Sequence, residues 1–186
     1  MPITSLPGKY GIGCFSKEAY AFIDWLKEAG QTYWQILPIH PTSYGDSPYQ
    51  SFSTFAGNPY FIDLEELIEE GMLTREECDS MDFGDDEDDI DYEDQYQNRY
   101  ILLTMAYERS NISQNPDYQR FVEENRWWLD DYALFMALKT FFNGQCWNEW
   151  PQDIRLRWGY SMDYYRRELY FDIEFQMFLQ YWFFKQ

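Results

Sequence analysis

The chain has 186 residues, enough for one domain or one domain with an insertion, and is 45% hydrophobic, enough to build a core. A formal net charge of −19 argues against a nucleic-acid or anionic-membrane partner, because both are held through basic patches, and it is compatible with an uncharged ligand. Aromatic residues reach 22%, with 17 Tyr, 15 Phe and 8 Trp, which suits a stacking ligand but serves core packing as well.

Cys14, Cys78 and Cys146 are widely spaced and form no CxxC pair. An odd number of cysteines without an N-terminal targeting segment points to free thiols in a reducing, cytoplasmic setting. No apolar run reaches transmembrane length. His40 is the sole histidine and has no nucleophile motif beside it, so neither a histidine-rich metal site nor a Ser-His-Asp triad is expected. No cofactor or metal is predicted.

In chain order, residues 1–15 read as a strand remnant followed by a Pro/Gly loop. Ser16 is a predicted N-cap, Ala19, Phe22, Ile23, Leu26 and Ala29 recur at helical spacing, and Gly30 stands where a helix ends. The apolar run at 33–37, closed by Pro38, predicts a buried strand. Strand, loop, helix and strand make a βαβ unit, whose functional loops leave the C-terminal ends of the strands. The loop at 38–62 does so. Pro41, Gly45, Pro48, Gly57 and Pro59 punctuate it, and Tyr44, Tyr49, Phe52, Phe55 and Tyr60 alternate with Asp46, Ser47, Gln50, Ser51, Ser53 and Asn58. Aromatic faces beside hydroxyl, amide and carboxylate groups match a sugar, which offers an apolar C–H face and a rim of hydroxyls. Composition leaves a second reading open, a Pro-pinned surface loop whose aromatics pack on the core. Its place after a strand favours the functional one.

Asp63 with Glu66, then Thr74 with Glu77, have capping-box spacing for two short helices, the first stopped by Gly71. Residues 82–94 are strongly acidic. Asp85, Glu87 and Asp89 alternate as in an EF-hand, but Ile90 and Tyr96 occupy the positions that need Gly and Glu, so a solvated linker is expected instead. Helices are predicted from Tyr96 to Arg109, around 117–124 and from Trp127 to Phe142, the last with Leu129, Tyr132, Ala133, Met136, Ala137 and Phe141 on its buried side. An aromatic loop at 146–151 leads into a short helix bearing Arg155 and Arg157. Its tryptophans are expected to pin the loop rather than stack on a sugar. Residues 162–186 form one long helical pattern that grows more aromatic. That pattern predicts an exposed Phe/Trp/Tyr face after Leu169 and association through it, and marginal stability is expected because the chain has too few strands to close a sheet into a barrel.

Several segments together resemble the 4-alpha-glucanotransferases, the amylomaltases or disproportionating enzymes of glycoside hydrolase family 77. They are SLPGKYGIG at 5–13, EAGQTYWQILP at 28–38, YGDSPYQSFSTFAGNPY at 44–60, WWLDDYALF at 127–135, WNEWP at 147–151 and QYWFFKQ at 180–186. They follow the family's order from one end of the chain to the other. The resemblance implies an α/β fold, the N-terminal portion of a (β/α)8 TIM barrel with a large, mostly helical insertion. On that basis 1–62 holds the first βα units and the acceptor-side loop. Residues 63–160 form the helical insertion with its acidic linker near 82–94, and 161–186 a long helix leading back to the barrel.

The implied activity is transfer of 1,4-alpha-glucan segments to an acceptor glucan or glucose by a retaining double displacement. The implied partners are alpha-1,4-glucans and maltooligosaccharides. No Asp or Glu matches the family's catalytic motifs, so the resemblance implies about the first third of the family's length, clipped at both ends and inactive alone. Carried over residue by residue, Tyr49 is a stacking platform and Ser47 a hydroxyl contact on the acceptor side. Tyr44 belongs to a second, surface glucan site, and Asp46 is either a sugar contact or a cap for backbone amides. Two readings from other classes stand beside this one: a non-catalytic alpha-glucan-binding module, and an acidic helical interaction protein docking through its tail helix.

Overall fold

Ser16 does open a helix, α1 (Lys17–Glu28), though its hydroxyl makes no cap hydrogen bond, and Gly30 leaves it with a left-handed φ of 74°. The computed structural model describes residues 1–43, 45–84 and 89–186. These fall into two compact units, Met1–Ile112 with Trp182–Gln186, and Ser113–Tyr181.

In the first unit, Asp63 caps α2 (Leu64–Glu69) by accepting the Glu65 N–H. Thr74 and Glu77 form the full predicted capping box on α3 (Arg75–Asp79). The helix expected from Tyr96 starts earlier, at α4 (Tyr92–Asp94), because Asp91 accepts the Asp94 N–H as its cap. It passes through a π-helical turn (Gln95–Arg99) into α5 (Tyr100–Arg109).

That π turn turns two polar side chains inward. Arg99 and Gln95 are almost fully buried. The Arg99 guanidinium donates to the Ile62 carbonyl and to Gln95 Oε1, each at 2.8 Å, and Gln95 Nε2 donates to the Tyr10 carbonyl at 2.8 Å. Three stretches distant in sequence are thus tied through one satisfied polar node. Apolar packing completes the unit. Phe15 stacks on Phe61 at 5.4 Å and meets Phe183 at 5.2 Å. A Cβ at Gly57 would collide with the Phe183 ring, so only glycine fits there.

The strands do not form. No β-strand exists among the described residues, and 3–5 make a 3-10 turn instead of a strand remnant. The run at 33–37 is not a buried strand, since Tyr33 is 91% exposed and Ile36 and Leu37 are exposed as well. A strand is stabilised by the ladder partners beside it, and among the described residues this run has none; Trp34 instead donates its indole N–H to the Met1 carbonyl at 2.8 Å and meets Phe22 edge-on at 4.9 Å. Among the described residues the architecture is helical, without the strands of the expected α/β fold.

In the second unit, Asn115 accepts the N–H groups of Asp117 and Tyr118 and starts α6 (Pro116–Phe141). It is one continuous helix where a break near 125 was expected. Asn143 and Gly144, both left-handed, end the reversal that follows it. Met136 is half-buried and Phe141 exposed, while Trp128, Leu134 and Leu138 take the interior places. Trp150 is buried against Phe135 and Phe142, pinning its loop as predicted, whereas Trp147 stays exposed. Then follow α7 (Gln152–Arg155), α8 (Gly159–Glu168) and α9 (Tyr170–Lys185). The single helix expected over 162–186 is interrupted at Leu169, whose φ of −102° and ψ of 24° leave the helical region.

The aromatic face after Leu169 is not exposed. Ile173, Met177, Phe178, Leu179, Tyr181, Trp182 and Phe183 are buried, and Tyr118 meets Tyr181 edge-on at 5.6 Å. Its burial removes the surface through which association was expected and on which the interaction-protein reading rested. Tyr170, Phe171 and Phe184 alone of the larger side chains there remain about half exposed.

Candidate functional site at the 38–62 loop

The loop is closed on itself by paired contacts from its two arms. Asn58 N–H donates to the Ile39 carbonyl at 2.9 Å, and His40 Nδ1 lies 3.1 Å from the Ala56 carbonyl. Further out, Thr42 and Ser51 form an antiparallel bridge, and Ser43 N–H donates to the Gln50 carbonyl at 3.1 Å. The tip turns back on itself through Gln50 N–H to the Ser47 carbonyl at 3.0 Å. Asn58 is a turn residue, because its Oδ1 accepts the Tyr60 N–H at 3.0 Å and caps a 3-10 turn (Pro59–Phe61). Ser53 Oγ accepts the N–H groups of Phe55 and Ala56. Local hydrogen bonding therefore satisfies the backbone of a long loop that carries almost no regular structure.

Tyr49 stands at the tip with 76% of its surface exposed. Its N–H reaches Ser47 Oγ at 3.4 Å, so the two side chains most favoured by the sequence reading share one turn. Asp46 follows Gly45 in a left-handed pair, φ 51° after 83°. Among the described residues its carboxylate caps no backbone amide and instead accepts the Thr42 hydroxyl at 3.3 Å. Tyr44 lies outside the described residues, as do Asp85 and Glu87 of the failed EF-hand pattern.

Asp46 also faces a cleft at the base of the loop, lined among others by Thr42, Pro48, Asn58, Tyr60 and Tyr92. Burial, then the negative charge of Asp46, pushes the Tyr60 and Tyr92 hydroxyls above the usual phenol range, so both stay protonated donors. Their rings lie 6.1 Å apart, and Tyr60 meets Tyr100 edge-on at 6.5 Å. Tyr92 escaped the sequence reading because 82–94 looked like linker. The Asp91–Asp94 spacing, acid at the cap and acid three residues on, was the signal for a helix there.

The cleft and loop thus offer a stacking ring, a hydroxyl, a carboxylate and two phenols, all suited to an uncharged polyhydroxyl ligand. No group of His, Cys, Asp or Glu among the described residues is placed to hold a metal ion.

The family model described as 4-alpha-glucanotransferase (glycoside hydrolase family 77) matches residues 1–186. The chain belongs to that family. It is 50% identical over 186 residues to the 4-alpha-glucanotransferase of Clostridium butyricum, covering 100% of this chain and 38% of the relative. It is 45% identical over 188 residues to that of Streptococcus pneumoniae, covering 100% of this chain and 37% of the relative. Its structure superimposes with a TM-score of 0.91 on the amylomaltase from Streptococcus agalactiae in complex with acarbose, at 39% identity, over 100% of this chain and 38% of that one. The chain therefore spans a little over a third of the length of the relatives it matches. No helix among the described residues is long and apolar enough to cross a membrane.

Proposed function

We propose that this chain supplies the acceptor-side part of a 4-alpha-glucanotransferase, which moves 1,4-alpha-glucan segments to an acceptor glucan or glucose. The observation that carries the reading is the family match along the whole chain, which includes the exposed, self-bonded loop at 38–62. Retaining transfer needs one carboxylate to attack the anomeric carbon and a second to protonate the leaving oxygen and later activate the acceptor hydroxyl. No carboxylate here matches the family's catalytic motifs, so the chain by itself turns over no maltodextrin. Its share is to hold the sugar that resolves the intermediate. Tyr49 stacks on its C–H face, Ser47 bonds a hydroxyl, and Asp46 accepts another. Tyr44 contributes to a second glucan contact on the surface.

The exposed, unpaired run at 33–37 supports a further part of this reading. Beside neighbouring strands it is the kind of segment that enters the (β/α)8 barrel. Residues 1–62 then belong to the barrel, 63–160 to the helical insertion, and 161–186 to the helix that returns. The alpha-1,4-glucan ligand and a cytoplasmic setting complete the proposal.

Titration with maltoheptaose tests it. Tyr49→Ala should weaken binding roughly three- to tenfold, the worth of one aromatic contact. Unchanged affinity in a folded variant would remove the loop from the site.

A further inference from the structure

The second unit carries a group of exposed aromatic side chains around one ion pair. Arg157, between α7 and α8, adopts a left-handed backbone with φ 54°. The turn is held by Arg157 N–H donating to the Ile154 carbonyl at 2.9 Å and Trp158 N–H to the Asp153 carbonyl at 2.8 Å. It presents the guanidinium to Asp131 on α6, with Nη2 at 2.6 Å from Oδ1, and both side chains remain more than half exposed. Trp127 stands one helical turn before Asp131 on the same face of α6. Directly after Arg157 in the chain, the Trp158 and Tyr160 rings lie 5.9 Å apart at an interplanar angle of 48°. Trp127, Trp158 and Tyr160 are 68%, 44% and 67% exposed.

Single apolar residues on a surface need no explanation, but a tilted pair of exposed rings next to one partner of an exposed ion pair, with a third ring one helical turn from the other partner, does. An exposed ion pair contributes little to stability. Here it leaves a fork of N–H donors and carboxylate acceptors standing between stacking surfaces.

We propose that Trp127, Asp131, Arg157, Trp158 and Tyr160 form a binding site for alpha-1,4-glucan on the 113–181 unit. The proposal rests on the glucan reading above for its ligand class, and on this surface alone for its place. Glucose rings present C–H faces to the aromatics, and vicinal hydroxyls accept from Arg157 and donate to Asp131. A 1,4-linked alpha-glucan coils, so neighbouring rings are turned out of one plane, and two aromatics tilted against each other suit such a chain better than a flat pair would. The ligand is neutral, and the ion pair is neutral as a unit, so the chain's net charge of −19 does not oppose binding.

The test is isothermal titration of the 186-residue chain with maltoheptaose, comparing Trp158→Ala, Tyr160→Ala and Tyr49→Ala, with circular dichroism melts as the folding control. Each of the first two should lose roughly three- to tenfold in affinity at this site, and combining either with Tyr49→Ala should weaken both sites, each by its own factor. Tyr160→Ala keeps the test valid should Trp158→Ala not fold. Native affinity in Tyr160→Ala or a folded Trp158→Ala, with loss only in Tyr49→Ala, overturns this site and leaves the loop reading intact. Loss in Trp158→Ala and Tyr160→Ala with none in Tyr49→Ala supports this site and removes the loop. No heat and no affinity in the native chain overturns both.

Discussion

Arg99 illustrates how much one residue can hold. Nothing in its sequence neighbourhood marks it as buried, since it sits in an acidic and polar stretch before an ordinary amphipathic helix. Yet it donates to Ile62 and Gln95 from a fully enclosed position, and burial draws its pKa down from the usual guanidinium range. Arg99→Met would leave two carbonyl oxygens without their donor, each worth about 1–3 kcal/mol, while relieving the guanidinium of its desolvation. The net loss should be about 2 kcal/mol, read as a lower urea midpoint, and an unchanged midpoint would count against the node. Tyr49, by contrast, was legible from its neighbours. Pro48 before it and Gly45 nearby already require an exposed turn, and the structure adds the Ser47 contact that fixes it.

Helix ends were read with more success than helix middles. The box of Thr74 and Glu77 formed as its spacing predicted, and Glu77 also takes both terminal nitrogens of Arg109, at 2.8 and 2.7 Å. The Arg109 guanidinium, then the Thr74 N–H, lower the Glu77 carboxyl from 4.5 to about 2. The folded carboxyl holds its proton less tightly than the unfolded one, so the stabilisation is complete above about pH 4.5 and is lost as the pH falls towards 2. Glu77→Gln should therefore be less stable than the native chain at pH 7, with the gap closing over that acidic window. Burial raises Asp63 and Glu66, whose contributions run the opposite way and are lost as the pH rises. For that reason the difference between variant and native urea midpoints is the quantity to follow, and a gap independent of pH would refute the assignment. The interruption at Leu169 had no such signal. No Pro or Gly marks it, and residues on both sides keep helical spacing.

For the molecule as a whole, burial sorts the three cysteines. Cys14 and Cys78 are buried and Cys146 is exposed. Burial pushes the Cys14 thiol up to about 12 and that of Cys78 to about 11, so neither supplies thiolate near neutral pH. An aromatic disulfide reagent at pH 7.5 should titrate one thiol in the native chain and all three in urea. Two or three fast thiols without denaturant would contradict the packing of Cys14 against Asp63 or of Cys78 within α3. The same balance of burial decides the tail. Its aromatics read as an exposed face in the sequence, but residues far upstream cover them, Phe15 for Phe183 and Tyr118 for Tyr181.

The sequence by itself determined the family, the loop with its turn residues, and the caps at Asp63 and Thr74. Each of these depends on residues close in the chain, where backbone sterics and local hydrogen bonds act alone. Only the tertiary structure decided the burial of Arg99 and of the α9 face, the approach of Tyr92 to Asp46, and the pairing of Arg157 with Asp131. Those depend on contacts between segments tens of residues apart, which no local pattern encodes. The run at 33–37 belongs with them, because periodicity announces a strand's sequence but only a neighbouring strand makes it one.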